Sequence, residues 1–336
     1  MKDDTITLDH GSGGKIAHQF TEQMLVPLFD NPMLSQLDDG AVFEVGGWRL
    51  AFSTDSHVVD PIFFPGGSIG DLAVNGTVND VSMCGALPLY LSVGLIIEEG
   101  FPMDDLKRVT GDMARAAKTA GVTIVTGDTK VVPKGAADKI FINTAGIGLI
   151  PEGVNVGGRM ARPGDHVLLS GTLADHGVTV LTQREELGFD LEVASDTAPL
   201  NRMVQQMLKV CPDVHVLRDP TRGGLGTTLN EIAGQAGVSI RIHEDRIPIR
   251  KAVAGLCEML GFDPLYLANE GKLIAIVPER HSEAVLDAMR KDPAGGRACC
   301  IGEVTDESPG KVFMTTAIGG SRIVDMLTGE QLPRIC

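Results

Sequence analysis

Apolar and polar positions alternate over 41–45 and again over 49–53, with Gly46-Gly47 between the two runs. Period-two alternation puts every second side chain on one face of a strand, and a two-glycine link is the signal of a tight hairpin. The rhythm then changes. Ile69–Met83 reads as a helix, 88–97 as a strand, and Met103–Ala120 as an amphipathic helix that Gly121 stops. "VTIVTGD" and "KIFINTAGIGLI" read as the next strands. Helices grouped against one sheet make an α+β domain, placed at 1–155.

The stretch "PEGVNVGGRMARPGDH" breaks this pattern with glycines and prolines, and a fresh strand, "HVLLS", follows it. Helices fit 174–186, 199–209, Gly224–Ala236 and 249–259, and strands fit "VSIRI", "KLIAIV", "CCIGEV" and "KVFMTT". This is a second α+β domain, 156–327. Residues 328–336 remain as a flexible tail ending in "GEQLPRIC". Pro333 fixes φ and lacks an N–H, so the tail is expected to be extended. It could lie on the surface or carry the thiol of Cys336 into a cleft.

Bulk properties narrow the function. The 336 residues suffice for two cores, and only 4% are aromatic, so the cores must be mostly aliphatic. The net charge of −15 argues against a nucleic-acid surface, although an anion such as ATP could bind through bridging cations and local lysines. None of the six cysteines has a zinc-ligand C-x-x-C spacing. The first ten residues have no apolar signal region, and no run of 18 apolar residues suggests a membrane span. A cytoplasmic protein with reduced thiols is the expectation.

Several stretches carry candidate chemistry. "HGSGGK" lacks the spacing of a phosphate-binding P-loop, yet the amides of Gly13 and Gly14 could form an anion nest before a helix; a flexible loop explains the glycines equally. Asp38, Asp39, Asp55, Asp80 and Asp128 recur at turns and element ends, where hard oxygen ligands could converge on Mg²⁺ and phosphates, although any one of them alone is more often a turn or cap residue. Asp71, Asn75 and Asn79 form one helical stripe, which a solvated helix face would also explain. In "RDPTRGG", Arg222 could hold a phosphate bidentately. Glu270, in "ANEG", reads as a base or a turn carboxylate. Cys299 and Cys300 begin a strand and point to opposite faces, which favours packing over a shared metal.

Taken together, "TDSHVVDPIFFPGGSIGDLAVNGTVNDVSMCGALP", "TGDTKVV", "INTAGIG", "DPTRGGLGTTLNEIA", "NEGKL" and the terminal "LPRIC" resemble the HypE family of hydrogenase maturation proteins, over nearly the whole chain. That family shares a superfamily with aminoimidazole ribonucleotide synthetase, thiamine-monophosphate kinase and selenophosphate synthetase. The resemblance implies two α+β domains, an ATP site with Mg²⁺, and a homodimer whose N-terminal sheets form a joint barrel with ATP near the interface. It implies that Cys336 carries a carbamoyl group placed by the carbamoyltransferase HypF. ATP-dependent dehydration would turn that thiocarboxamide into a thiocyanate. The cyanide would pass to the HypC–HypD complex for the iron centre of NiFe hydrogenase. By motif, Asp80 and Asp128 match superfamily metal and ATP carboxylates, with Asp38, Asp39 and Asp55 as companions. Lys130 fits charge stabilisation or proton transfer with Lys134 in reserve, and Glu270 fits a base near the arriving tail. Where much of the family has Asp, this chain has Ser68.

Two competing readings remain. A small-molecule kinase or ATP-dependent synthetase of the same superfamily would need no terminal thiol. A non-enzymatic thiol carrier or metal chaperone would leave the acidic stretches unexplained.

Overall fold

The computed structural model describes residues 5–184, 192–329, 332 and 334–336. The chain opens with a helical stretch made of α1 (Lys15–Phe20), a π turn (Thr21–Leu25) and α2 (Val26–Phe29). The hairpin follows as β1 (Ala41–Val45) and β2 (Trp48–His57), paired antiparallel with Val45 opposite Trp48. Gly46 and Gly47 both have positive φ, 59° and 83°, which is the backbone twist that a two-residue hairpin demands. A short ribbon, β3 (Phe63–Phe64) and β4 (Gly67–Ser68), leads into α3 (Ile69–Met83). Next come β5 (Leu87–Glu98), α4 (Met103–Ala120), β6 (Thr123–Val132) and β7 (Ile140–Leu149). Gly121 ends α4 at φ 77°.

The first sheet has the order β1-β2-β7-β5-β6, with β5 and β6 parallel through the α4 crossover. Its covered face packs against α3 and α4 through Ile69, Leu72, Val78, Leu91, Val109 and Ile142. The opposite face is uncovered: Phe52, Ile96 and Val125 are exposed, and along β6 only Val132 is even half-buried.

The second domain holds β8 (Asp165–Leu169), α5 (Asp175–Arg184), α6 (Asn201–Val210), β9 (Val216–Arg218), α7 (Gly224–Ala236), β10 (Ser239–His243), α8 (Lys251–Leu260), β11 (Ile274–Pro278), α9 (Ser282–Arg290), β12 (Cys299–Thr305), β13 (Lys311–Thr315) and β14 (Ser321–Ile323). Its sheet runs β14-β13-β10-β12-β8-β11-β9. One face carries Leu225 and Leu229 of α7, Val253 of α8 and Val178 of α5. The other carries Met203 and Met207 of α6 and Val285 and Met289 of α9, and this cluster continues into Val81, Met83 and Ile150 of the first domain. The two domains therefore share a core, which fixes the cleft between them.

Most expected elements are present. The helix expected over 174–186 is seen as α5 up to Arg184, and its last two positions lie outside the described residues. Pro333 also lies outside them. Helix α9 and strands β9 and β14 were not expected. Cys299 and Cys300 start β12, and each packs against a different core cluster. The asparagine stripe of α3 is not solvated: every residue of α3 except Asp80 is buried. Of the two placements left open for the tail, the structure has the one inside a cleft. Ile335 and Cys336 are only 5% and 6% exposed, so the chain end is packed instead of free.

Candidate active site

Helix α3 places the first carboxylate. Ser68 caps its N-terminus, accepting from the Gly70 amide at 3.2 Å and donating to Asp112 at 2.7 Å, so serine here serves as the helix cap. One turn short of the other end, Asp80 Oδ2 accepts from Ser53 Oγ of β2 at 2.8 Å. The same hydroxyl lies 2.9 Å from the carbonyl of Asp39, which ties the 38–40 turn to the sheet.

Strand β9 places the countercharge. Arg218 Nε meets Asp39 Oδ1 at 3.0 Å, Arg218 Nη2 meets Glu231 of α7 at 2.6 Å, and Asp38 stands 3.9 Å away. Asp38 also accepts the Gly158 amide at 3.0 Å. Beyond Arg218, Asp219 and Arg222 line a cavity of about 540 Å³ with His10, Gly13, Asp38 and Asp39, large enough for a nucleotide-sized ligand. Gly13 has φ 74° and sits so tightly on Arg222 that a Cβ would come within 2.8 Å of the arginine's own Cβ. Gly14 is equally tight against the Leu327 carbonyl, at 2.6 Å for a built Cβ, and the Lys15 amide donates to that carbonyl. The glycines thus let the N-terminal segment close over the Arg222 loop.

Arg222 is the hub of the cleft. Its Nη2 is 3.9 Å from Asp55 Oδ1, and the negative charge at Cys336 is the largest influence raising its basicity, ahead of Asp55, Glu270 and Asp80. Cys336 arrives there because the chain end is held at several atoms. The Val58 amide donates to the Cys336 carbonyl at 2.7 Å, and the Asp60 amide to the Arg334 carbonyl at 3.2 Å. His176 Nε2 reaches the Ile335 carbonyl at 2.7 Å. A carbonyl can only accept, so Nε2 carries the proton and Nδ1 accepts from Ser195 Oγ at 2.8 Å. Arg334 pairs with Asp138, and Arg184 bonds the carbonyls of Asp60 and Arg334. The sulfur-bearing residue is therefore inside, between the domains.

The carboxylates crowd one another. Burial pushes Asp39 well above the usual carboxylate range against the pull of Arg218, and burial does the same to Asp80 with Asp219, Asp55 and Asp39 adding to it. Asp219 rises to about 6, through burial opposed by Arg218. Glu270 rises well above its ordinary value through burial, with Asp55 and Asp196 adding and Arg222 opposing. Burial lowers His57, whose Nε2 is 3.5 Å from Asp55. Asp39 Oδ2, Asp219 Oδ2 and Glu270 Oε1 are buried without hydrogen-bond partners. Orphaned anionic oxygens of this kind suit a cation. Among the described residues, however, no group of three or more His, Cys, Asp or Glu side chains is placed to hold a metal ion by itself. The donor set fits Mg²⁺ that brings phosphate oxygens with it, since that ion commonly takes only one or two protein carboxylates.

Not every expected residue joins this cluster. Asp128 and Lys130 stand on β6, largely exposed and paired with each other at 2.6 Å, beside a separate hollow of about 290 Å³ lined by Ser56, Gly94 and Asn143. The Lys130 hydrogen bond holds the Asp128 carboxyl below its usual range. Within one chain, the convergence of Asp128 with Asp38, Asp55 and Asp80 is not seen. A sheet strand fixes which face a side chain takes, and β6 turns these two away from α3. Lys134 is exposed on the loop after β6. Asn75 is buried and donates to Thr197 across the domain boundary at 3.1 Å, with its carbonyl oxygen unpartnered. Asn79 bonds the backbone of Ala198 and Leu200, which makes it a structural clamp.

Sequence reasoning did not nominate Arg218, Asp219, Glu231, His57 or His176. Arg218 and Asp219 lie in the quoted "RDPTRGG", where an Arg-Asp pair leaving a strand was an available signal. Nothing in the sequence marks His176, because its partners are the tail and a distant serine.

Comparisons with known proteins show the family. Residues 37–150 match the family model for the N-terminal domain of AIR synthase related proteins, and residues 162–315 the model for their C-terminal domain. The chain is 54% identical to carbamoyl dehydratase HypE of Cupriavidus necator, over 100% of this chain and 96% of that one. A solved structure of HypE in complex with ATP is 55% identical, covers 99% of this chain and 100% of its own, and superposes with a TM-score of 0.84. A HypE–HypF complex is 48% identical, covering 92% and 99%, with a TM-score of 0.88. With a nucleotide-sized acidic cavity, a buried terminal cysteine and half of its sequence in common with such relatives, the chain belongs to the HypE family of carbamoyl dehydratases.

Proposed function

We propose that this protein uses ATP to dehydrate a carbamoyl group carried on the sulfur of its own Cys336, giving a protein thiocyanate. The observation that carries the reading is the placement of Cys336: a terminal thiol-bearing residue held between the domains beside Arg222, at the rim of the carboxylate cluster.

An amide oxygen leaves poorly as hydroxide. Transfer of the ATP γ-phosphoryl group to the carbamoyl oxygen makes that oxygen part of a leaving phosphate, and the C–O bond can break as C≡N forms. Both N–H protons must go. Glu270 is a suitable acceptor for one of them, because burial beside other carboxylates makes it unusually basic. Arg222 balances the negative charge that gathers on the oxygen in transfer. Asp39, Asp80 and Asp219 would hold Mg²⁺ arriving with the triphosphate, with Asp38 and Asp55 at the edge of that set. The ion would supply charge neutralisation and orientation. Gly13, Gly14 and the rest of the segment over Arg222 would shut water out of the cavity.

The similarity to a HypE–HypF complex supports HypF as the source of the carbamoyl group. A HypC–HypD complex as cyanide acceptor follows from the family resemblance. The uncovered apolar face of the first sheet supports a homodimer in which two such sheets close a barrel. In that assembly, Asp128 and Lys130 would serve a nucleotide at the interface instead of their own chain's cleft. A kinase for a free metabolite would leave the buried tail without a purpose.

ATP hydrolysis tests the reading. It should rise when HypF and a carbamoyl donor are supplied, and Cys336→Ala should remove the rise. An equal rise in the variant would contradict it.

A further inference from the structure

Glu270 sits in a four-residue stretch, 269–272, in which every other side chain is fixed. Asn269 accepts the Ala174 amide at 2.7 Å and donates to the carbonyls of Pro220 and Leu267 at 2.9 and 3.0 Å. Lys272 Nζ meets Asp196 Oδ2 at 3.0 Å, and both side chains are buried. Glu270 differs: its Oε1 is buried with no hydrogen-bond partner among the described residues, so what aims its carboxyl must be sought in its backbone. Ala268, two residues before it, packs in one apolar cluster with Ile335 and Cys336, which brings the stretch to the chain end.

The backbone of Glu270 is held by Asp196. Asp196 Oδ1 accepts the Glu270 amide at 3.1 Å while Oδ2 takes Lys272, so one carboxylate spans Gly271. Gly271 is what permits the approach: a Cβ there would lie 1.8 Å from the Asp196 carbonyl oxygen. Gly171 makes room in the same way for the Lys272 stem, whose Cε a built Cβ would meet at 2.9 Å. Asp196 belongs to a segment without regular structure, 195–200, that is also tied to the first domain. The Ser195 amide donates to the Pro65 carbonyl, and Asn75 donates to Thr197. Asn79, the neighbour of Asp80, donates to the Ala198 carbonyl and accepts the Leu200 amide. One segment therefore sets Glu270 in register with the helix that carries Asp80.

We propose that Asp196, held by Lys272, is a positioning residue for the dehydration: it accepts the Glu270 amide and thereby aims the Glu270 carboxyl at the carbamoyl group on Cys336. The assignment rests on Glu270 being the proton acceptor. A buried ion pair is a poor device for stability, since a neutral pair of similar volume is often as stable. Aim matters far more: a misplacement of about 1 Å can cost on the order of 100-fold in rate.

The test follows water loss by intact mass in a single turnover, after HypF has carbamoylated the full chain and saturating ATP and Mg²⁺ are added. Asp196→Ala with Lys272→Met removes the clamp and leaves no lone charge. It should slow water loss by about tenfold or more, with the ATP concentration for half-maximal rate and the extent of carbamoylation unchanged. Asp196→Asn with Lys272→Met restores an oxygen to accept the Glu270 amide, and should return the rate to within about threefold of the parent. In a Glu270→Gln background, the alanine pair should slow water loss by less than about twofold more, because no acceptor is left to aim. A folded alanine pair at the parent rate, an asparagine pair as slow as the alanine pair, or an equal loss in both backgrounds overturns the proposal while Glu270 stands as the acceptor. Glu270→Gln at the parent rate overturns the acceptor reading itself, and the proposal with it. Should the alanine pair not fold, amide hydrogen exchange in the unaltered chain decides: the Glu270 amide should be strongly protected, and exchange as fast as that of an exposed amide overturns the clamp.

Discussion

Asp39 and Arg218 meet at 3.0 Å across the boundary between the two domains, and both are buried from most solvent. Arg218 is also the partner of Glu231 and a neighbour of Asp38, so one guanidinium balances three carboxylates. Breaking a buried ion pair from one side typically costs about 3–5 kcal/mol, because the charges left behind are uncompensated. Arg218→Met should therefore lower the melting temperature sharply at pH 7.5. The loss should shrink at pH 5, where the abandoned carboxylates take protons. A variant that melts like the parent at both pH values would remove Arg218 from this role.

The crowded carboxylates set a pH dependence. Asp219 is raised from 3.8 to about 6 in the folded protein. Its protonated form contributes stability that is fully present below pH 4 and is lost as pH rises through 6. The rise from 3.8 to about 6 is worth roughly 3 kcal/mol. Asp39, Asp80 and Glu270 act in the same direction. A cation among them relieves the repulsion only when they are charged. Mg²⁺ with a non-hydrolysable ATP analogue should thus raise the melting temperature more at pH 7.5 than at pH 5, and calorimetry showing the reverse order would refute the cluster as the metal–nucleotide site.

Asp80→Asn separates stability from activity. The substitution removes a charge that the fold disfavours and leaves an oxygen to accept from Ser53. The expected result is an unchanged or higher melting temperature with ATP turnover reduced by about 100-fold or more, the scale seen when one preorganised electrostatic group is removed. Retained turnover would take Asp80 out of the site.

Much of this was legible in the sequence where the determinants are local. The Gly46-Gly47 hairpin, the Ile69–Met83 helix and the Gly121 stop each follow from neighbours within a few residues. Asp80 was nominated because carboxylates recur at several turns and element ends of one domain, and Arg222 because an arginine before two glycines can reach a phosphate. What could not be read depends on long-range pairing. Asp128 lies in the same kind of motif as Asp80, but strand β6 sits at the sheet edge and aims it elsewhere. The sequence left the tail's place open between surface and cleft, because its burial comes from Val58, His176 and Ala268, each more than 60 residues away in the chain.

The His176 hydrogen bond makes the tail's position adjustable. Burial lowers the His176 pKa, so the ring stays neutral and holds the Ile335 carbonyl through the physiological range. One such bond is worth about 1 kcal/mol net. His176→Ala should raise the alkylation rate of Cys336 by about tenfold at most and leave ATP-analogue binding unchanged, on the same scale of one hydrogen bond. A tail no more reactive than before would show that His176 does not hold it.

Intact-protein mass spectrometry of the chain carbamoylated by HypF reaches the central claim most directly. On addition of ATP and Mg²⁺, the adduct should lose the mass of one water, and fragmentation should place the remaining group on Cys336. Cys336→Ala should show no adduct, while Cys299→Ala and Cys300→Ala should behave as the parent. An adduct on another cysteine, or loss of water without ATP, would contradict the account.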